Sequence, residues 1–186
     1  IESSNLSSDS IGITGSQMIG LQKPDSDIDL IVYGTQQSLE FQTHLPIIFE
    51  ASNVCRHYNF EEYLSHYKFR AGGSGISFND FMKSESRKLH QGIFKDVEFF
   101  IRYIKSPEDW GGNFYDFQYE NCGRIRLKAK IIDSREGIFT PCSYKIEAFQ
   151  IIENNSNLKT INLNMIKEIN SFRGRFCEQA VPGEVV

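Results

Sequence analysis

The chain has 186 residues, of which 40% are hydrophobic, 24% charged and 13% aromatic, and its formal net charge is −4. That length and composition fit one domain with a sizeable core or two small ones. The weak negative charge argues against indiscriminate polyanion binding by the whole molecule, and no window approaches the apolar run of a membrane span.

The chain opens at Ile1 without a Met, and we expect further residues beyond its ends. Residues 1–9 are Ser-rich and polar. Ile11-Gly12-Ile13-Thr14 then reads as a short strand that stops at a tight Gly15-Ser16 turn. Residues 17–26 contain Gly20, Pro24 and Asp25 and read mostly as turn and loop. Ile28 to Tyr33 is a predicted strand. Its start carries Asp27 and Asp29 at alternate positions, which puts both carboxylates on one face and Ile28, Leu30 and Val32 on the other.

Thr35 is a predicted N-cap, with a helix from Gln36 that Pro46 breaks or restarts. Residues 60–69 read as a helix with the stripe Tyr63, Leu64, Tyr67 and Phe69, and residues 70–75 as a Gly-rich connection. Ser77 should cap a helix running to about His90, with Gly92 ending it. A strong strand over 97–104 follows, entered through Lys95-Asp96. Ser106-Pro107 marks a boundary, giving expected domains 1–106 and 107–186. The second is predicted to be a small, largely antiparallel, barrel-like β unit with β-rich runs at 124–132, 143–152 and 160–163 and a short helix near 164–171.

Charge divides unevenly. Residues 1–121 hold 10 Lys and Arg against 17 Asp and Glu, whereas residues 122–176 hold 10 against 5. Arg124, Arg126, Lys128 and Lys130 recur at every second position, either as a polyanion-facing row or as the solvated face of an edge strand. Cys55, Cys122, Cys142 and Cys177 form no C-x₂-C pair, so we expect buried free thiols and a cytoplasmic protein without a secretion signal.

Two carboxylates held close repel each other, and a cation between them relieves the repulsion. Oxygen-only ligands suit Mg²⁺, which binds through one or two carboxylates plus substrate phosphates. Rival motifs fail on spacing. An EF-hand loop opening at Asp25 would need Gly and Glu where Leu30 and Gln36 stand, and Gly72-Gly73-Ser74-Gly75 lacks the Lys of a phosphate loop.

The pattern Thr14-Gly15-Ser16, ten residues, then Asp27-Ile28-Asp29-Leu30 resembles the polymerase-beta-type minimal nucleotidyltransferase superfamily. The specific resemblance covers residues 11–34 and extends by predicted topology to about residue 105. Thr14 departs from the bulkier apolar residue usual there. The resemblance implies a mixed sheet flanked by helices for the first half, which with the smaller β-rich unit read after it makes the chain α+β. It also implies a cytoplasmic enzyme that moves a nucleoside monophosphate from a nucleoside triphosphate to a hydroxyl on a nucleic acid, protein or small molecule. Gly15 and Ser16 would hold the triphosphate. Asp27 and Asp29 would bind two Mg²⁺ ions, with Mn²⁺ as substitute, and a third carboxylate would come from a neighbouring strand. Glu98, flanked by Val97 and Phe99, is preferred there over Asp96. Lys23, Arg87 and Lys88 are candidate phosphate contacts or ordinary solvated charges. The alternative is an inactive transferase fold that binds nucleic acid or acts as a scaffold through its basic β-rich half.

Overall fold

The computed structural model describes residues 6–70, 75–116 and 118–186. The chain divides into two compact units, residues 1–106 and 107–186. The architecture is α+β, with a mixed five-stranded sheet in the first unit and a three-stranded antiparallel sheet in the second.

In the first unit, β1 (Ile11–Ile13) leads into a single helical turn, α1 (Gly15–Met18), and then β2 (Ile28–Tyr33). Helix α2 (Thr35–Ala51), the short β3 (Cys55–Arg56), α3 (Phe60–Arg70) and α4 (Phe78–Glu85) follow, and the hairpin β4 (Gln91–Phe94) and β5 (Val97–Ile104) closes the unit. The sheet order is β1-β2-β5-β4-β3, with β2 and β5 parallel and all other pairs antiparallel.

Alternation along β2 and β5 gives the sheet two unlike faces. Val32, Phe99, Ile101 and Tyr103 are buried on the face that α2 covers. There Ser38 donates to the Val32 carbonyl, and Phe49 stands 6.2 Å from Phe99, centroid to centroid. On the other face, α3 and α4 cover the β4 side, where Tyr58, Tyr63 and Ile93 form a cluster joined by Phe78 and Met82. The β2–β5 part of this second face carries Asp29, Glu98, Phe100 and Arg102, as the register Asp29↔Phe100 requires.

Several expectations need correction. Helix α2 runs straight through Pro46 to Ala51, so proline does not end it. Ser77 caps α4 through the Asp80 amide, but that helix stops at Glu85. The residues expected to finish it instead become the buried strand β4, in which Gly92 lies against the Arg56 carbonyl, 2.7 Å from where a Cβ would stand. Phe69 is 87% exposed and does not extend the buried stripe of α3. The connection expected at 70–75 falls mostly on residues 71–74, outside the described residues.

In the second unit, β6 (Gly123–Asp133), β7 (Cys142–Ser156) and β8 (Glu168–Ser171) lie in sequence order. The helix expected at 164–171 is a 3₁₀ turn over Leu163–Met165 followed by β8, and residues 160–162 are not a strand. Ala129, Ile131, Cys142, Tyr144, Ile146 and Ala148 make the core, with Cys177 and Ala180 packed onto it. Tyr144 ties that C-terminal segment down. Its hydroxyl donates to the Phe176 carbonyl (2.6 Å) and accepts from the Gln179 amide (2.9 Å). Residues 183–186 hydrogen-bond along the outer edge of β6, through Ala129 and Ile131. No closed barrel is found among the described residues.

Candidate active site

The candidate site sits at the start of β2 and β5, on the half-open face of the first sheet. Its first part is backbone. The Thr14 amide donates to the Asp29 carbonyl (2.9 Å), carrying the β1–β2 pairing to the point where the chain turns. Gly15 takes φ +67, and a Cβ there would collide with Asp29 Oδ2. Only glycine lets the turn lie this close to the carboxylate. Ser16 follows, and its carbonyl accepts from the Leu21 amide (2.9 Å), folding the loop back. A second turn, Lys23–Ser26, is closed by Ser26 N to Lys23 O and by Lys23 N to Ser26 Oγ. It delivers the chain to Asp27, whose carbonyl accepts from Gln17 Nε2 (3.4 Å).

Asp27 stands one residue ahead of β2 rather than within it, and Asp29 is the second residue of the strand. The two carboxylates feel each other. Partial burial, reinforced by the negative charge of Asp27, pushes the Asp29 carboxyl above its ordinary range, and Arg102 on β5 pulls the other way. A cation between the two aspartates would relieve that repulsion, so the residues fit a divalent metal by donor chemistry and charge. Among the described residues, no three His, Cys, Asp or Glu side chains are already gathered as a metal cluster.

The two candidates for the third carboxylate separate structurally. Asp96 does not begin a strand. Lys95 and Asp96 have φ of 47° and 65° and form the two-residue loop of the β4–β5 hairpin, where both central residues need positive φ. Glu98 is in β5. Both line one open groove of about 480 Å³ with Pro24, Asp25, Ser26, Asp27 and Val97. The groove therefore brings Asp27 together with both acids, while Asp29 lies next to Asp27 along the strand.

Glu98 has a partner that the sequence reading missed. His66 of α3 places Nε2 3.3 Å from Glu98 Oε1. The His66 hydrogen bond is the main reason the Glu98 carboxyl lies below its ordinary range, against the opposing effect of burial. Arg102 is the second residue missed. The signal for it was present, because Glu98, Phe100 and Arg102 alternate on one strand. The guanidinium lies 5.2 Å from the Phe100 ring centre. His66 carried no such signal, since it reaches β5 only through the packing of α3.

Lys88 is corrected outright. It is 1% exposed and its ammonium donates to Glu85 Oε1 (2.5 Å), within a buried network that also joins Arg70 and Gln91 to Glu85. It is neither a solvated charge nor able to reach a phosphate in the groove. Lys23 is exposed in its turn.

Residues 2–71 match the nucleotidyltransferase domain family. This nucleotidyltransferase match contains Gly15, Ser16, Asp27 and Asp29 and stops short of Asp96 and Glu98. Transfer of a nucleotidyl group is the activity for which that family is named. The chain is also 24% identical over 177 residues to uncharacterized protein MJ1086 of Methanocaldococcus jannaschii, a match covering 95% of this chain and 48% of that protein. The chain therefore spans about half the length of the curated relative it matches. No solved structure matches it. No helix among the described residues is long and apolar enough to cross a membrane.

Proposed function

We propose that the first unit transfers a nucleoside monophosphate from a nucleoside triphosphate to a hydroxyl acceptor, with Asp27, Asp29 and Glu98 as the metal-binding and catalytic carboxylates. The observation that carries this reading is Asp29 packed against the Gly15 turn and pushed up by the charge of Asp27, with Glu98 of the neighbouring strand lining the same groove as Asp27.

Gly15 lets the backbone come close to the triphosphate, and the Ser16 hydroxyl donates to a phosphate oxygen. Asp27 and Asp29 would hold two Mg²⁺ ions, or Mn²⁺ in their place. When bound, such ions neutralise phosphate charge and lower the pKa of the attacking hydroxyl. Glu98 aligns that hydroxyl and takes its proton. The acceptor oxygen then bonds to the α-phosphorus, the bridging P–O bond breaks, and pyrophosphate leaves with the electron pair.

The four cysteines are free, which suits the cytoplasmic setting that we propose. The alternative, nucleic-acid binding through the basic half, draws less support. Of the four basic residues of β6, Lys130 stands opposite Glu147, and Arg126 pairs with Glu153 at 3.8 Å.

The test is transfer of label from α-labelled triphosphates into nucleic-acid, protein and small-molecule acceptors. The chain should transfer with Mg²⁺, and Asp27→Asn plus Asp29→Asn should lose at least about a thousandfold, equivalent to about 4 kcal/mol of barrier. Equal transfer by the double variant would remove the catalytic claim.

A further inference from the structure

The His66–Glu98 contact reaches from a helix to the floor of the groove. The His66 side chain is 12% exposed, and its ring lies against Tyr58 with centroids 4.4 Å apart. Tyr58 is itself buried, in edge contact with Tyr63 of the same helix as His66. The imidazole is thus set by packing rather than free to rotate in solvent. Among the described residues its buried Nδ1 has no hydrogen-bond partner, and the polar contact that fixes the ring there is Nε2 to Glu98 Oε1. A carboxylate only accepts, so Nε2 carries the hydrogen. Glu98, in contrast, is 48% exposed at its side chain and would sample several rotamers if unheld. A buried ring without a second partner gains little from this bond for stability alone, and its unpaired Nδ1 carries a desolvation cost.

We propose that His66 is a positioning residue. Its Nε2–H holds one oxygen of Glu98 and so orients the other toward Asp27 across the groove, presetting the third carboxylate for metal and acceptor hydroxyl. The proposal rests on the reading of Asp27, Asp29 and Glu98 as a metal platform. Residues that orient a metal ligand are worth about 10- to 100-fold in metal affinity.

The test measures Mn²⁺ binding to the whole chain by electron paramagnetic resonance, without nucleotide. His66→Phe keeps a ring against Tyr58 and removes the donor, and it should weaken Mn²⁺ binding about tenfold. His66→Gln restores an N–H and should return affinity to within about threefold of the unaltered chain. Should His66→Phe fail to fold, His66→Asn, whose amide is too short to reach, takes its place with the same expected loss. Asp29→Asn separates the two levels of the argument. If Asp29→Asn and Glu98→Gln bind Mn²⁺ as tightly as the unaltered chain, the metal platform itself is wrong. If they bind weakly while His66→Phe binds unchanged or more tightly, the platform stands and the positioning role is overturned.

Discussion

The strand pairs β2–β5 and β6–β7 both alternate apolar and charged residues, yet they treat their charges in opposite ways. In β6–β7 opposite charges meet across the ladder at Lys130 and Glu147 and at Arg126 and Glu153, Arg124 and Lys128 face Asn155 and Gln150, and Asp133 is clamped by Arg135. In β2–β5 like charges are gathered: Asp29 beside Asp27, and Asp27, Asp96 and Glu98 around one groove. The same contrast appears in single carboxyls. Arg135 pulls Asp133 down to about 2, whereas burial and Asp27 push Asp29 up. A sheet that pairs its charges is finished by folding alone, while one that concentrates a single sign needs something more to offset the repulsion. That difference is the one expected between a structural face and the working face we propose.

The largest way to break the contrast is to spoil the geometry that holds the acids together. Gly15→Ala should cost about 1–2 kcal/mol through its positive φ and displace Asp29, with which the new Cβ would collide. We expect a melting midpoint lower by several degrees, read by calorimetry, and nucleotidyl transfer reduced about a hundredfold. Normal transfer in that variant would show that the approach of the turn to Asp29 is incidental.

A smaller and sharper effect lies in titration. Carboxyl NMR should find Asp29 titrating above the ordinary range and Asp133 at about 2. Mg²⁺ should draw Asp29 down and leave Asp133 unmoved. The stability consequences have opposite sign. Folding raises the Asp29 pKa, so the folded state binds more protons than the unfolded one, and stability falls as pH rises through that window. Asp29→Asn should therefore raise the melting midpoint at neutral pH, by roughly 2 °C. Folding lowers the Asp133 pKa, so its contribution is present above the ordinary carboxylate range and fades as pH falls toward about 2.

The smallest effects belong to the matched face. Arg126→Ala and Lys130→Ala should change stability by no more than about 0.5 kcal/mol and leave transfer unchanged. Gel-shift titrations with single-stranded RNA at low salt should detect little binding by the chain. Tight, steeply salt-dependent binding lost in these two variants would instead favour the basic face as a nucleic-acid surface.

The residues of the candidate site were legible where chemistry and local geometry coincide. Gly15, Ser16, Asp27 and Asp29 fall within one stretch of chain, and strand alternation is a local property, so β2 and β5 could be read directly. What escaped reading depends on partners far away in sequence. Strand β4 is a four-residue segment with Gly92 inside, shaped by the Arg56 carbonyl and its hairpin with β5 rather than by propensity. Lys88 looks like any surface lysine until Glu85, Arg70 and Gln91 surround it. His66 lies 32 residues from Glu98 and meets it only because α3 packs over the sheet. The turn at Asp96 was hidden for a local reason: a Lys-Asp hairpin loop has no glycine to announce its positive φ.

One contact in the second unit bears on how this chain behaves among copies of itself. With residues 183–186 hydrogen-bonded along β6, the long outer strand presents no open row of amides and carbonyls there. An uncovered edge of that kind is a template on which another chain can add a strand. Residues 183–186 supply that strand from within the chain, so the β6 edge of the sheet is covered. Shaving those four residues would leave the core side chains in place and still lay the β6 edge open to a strand from another chain.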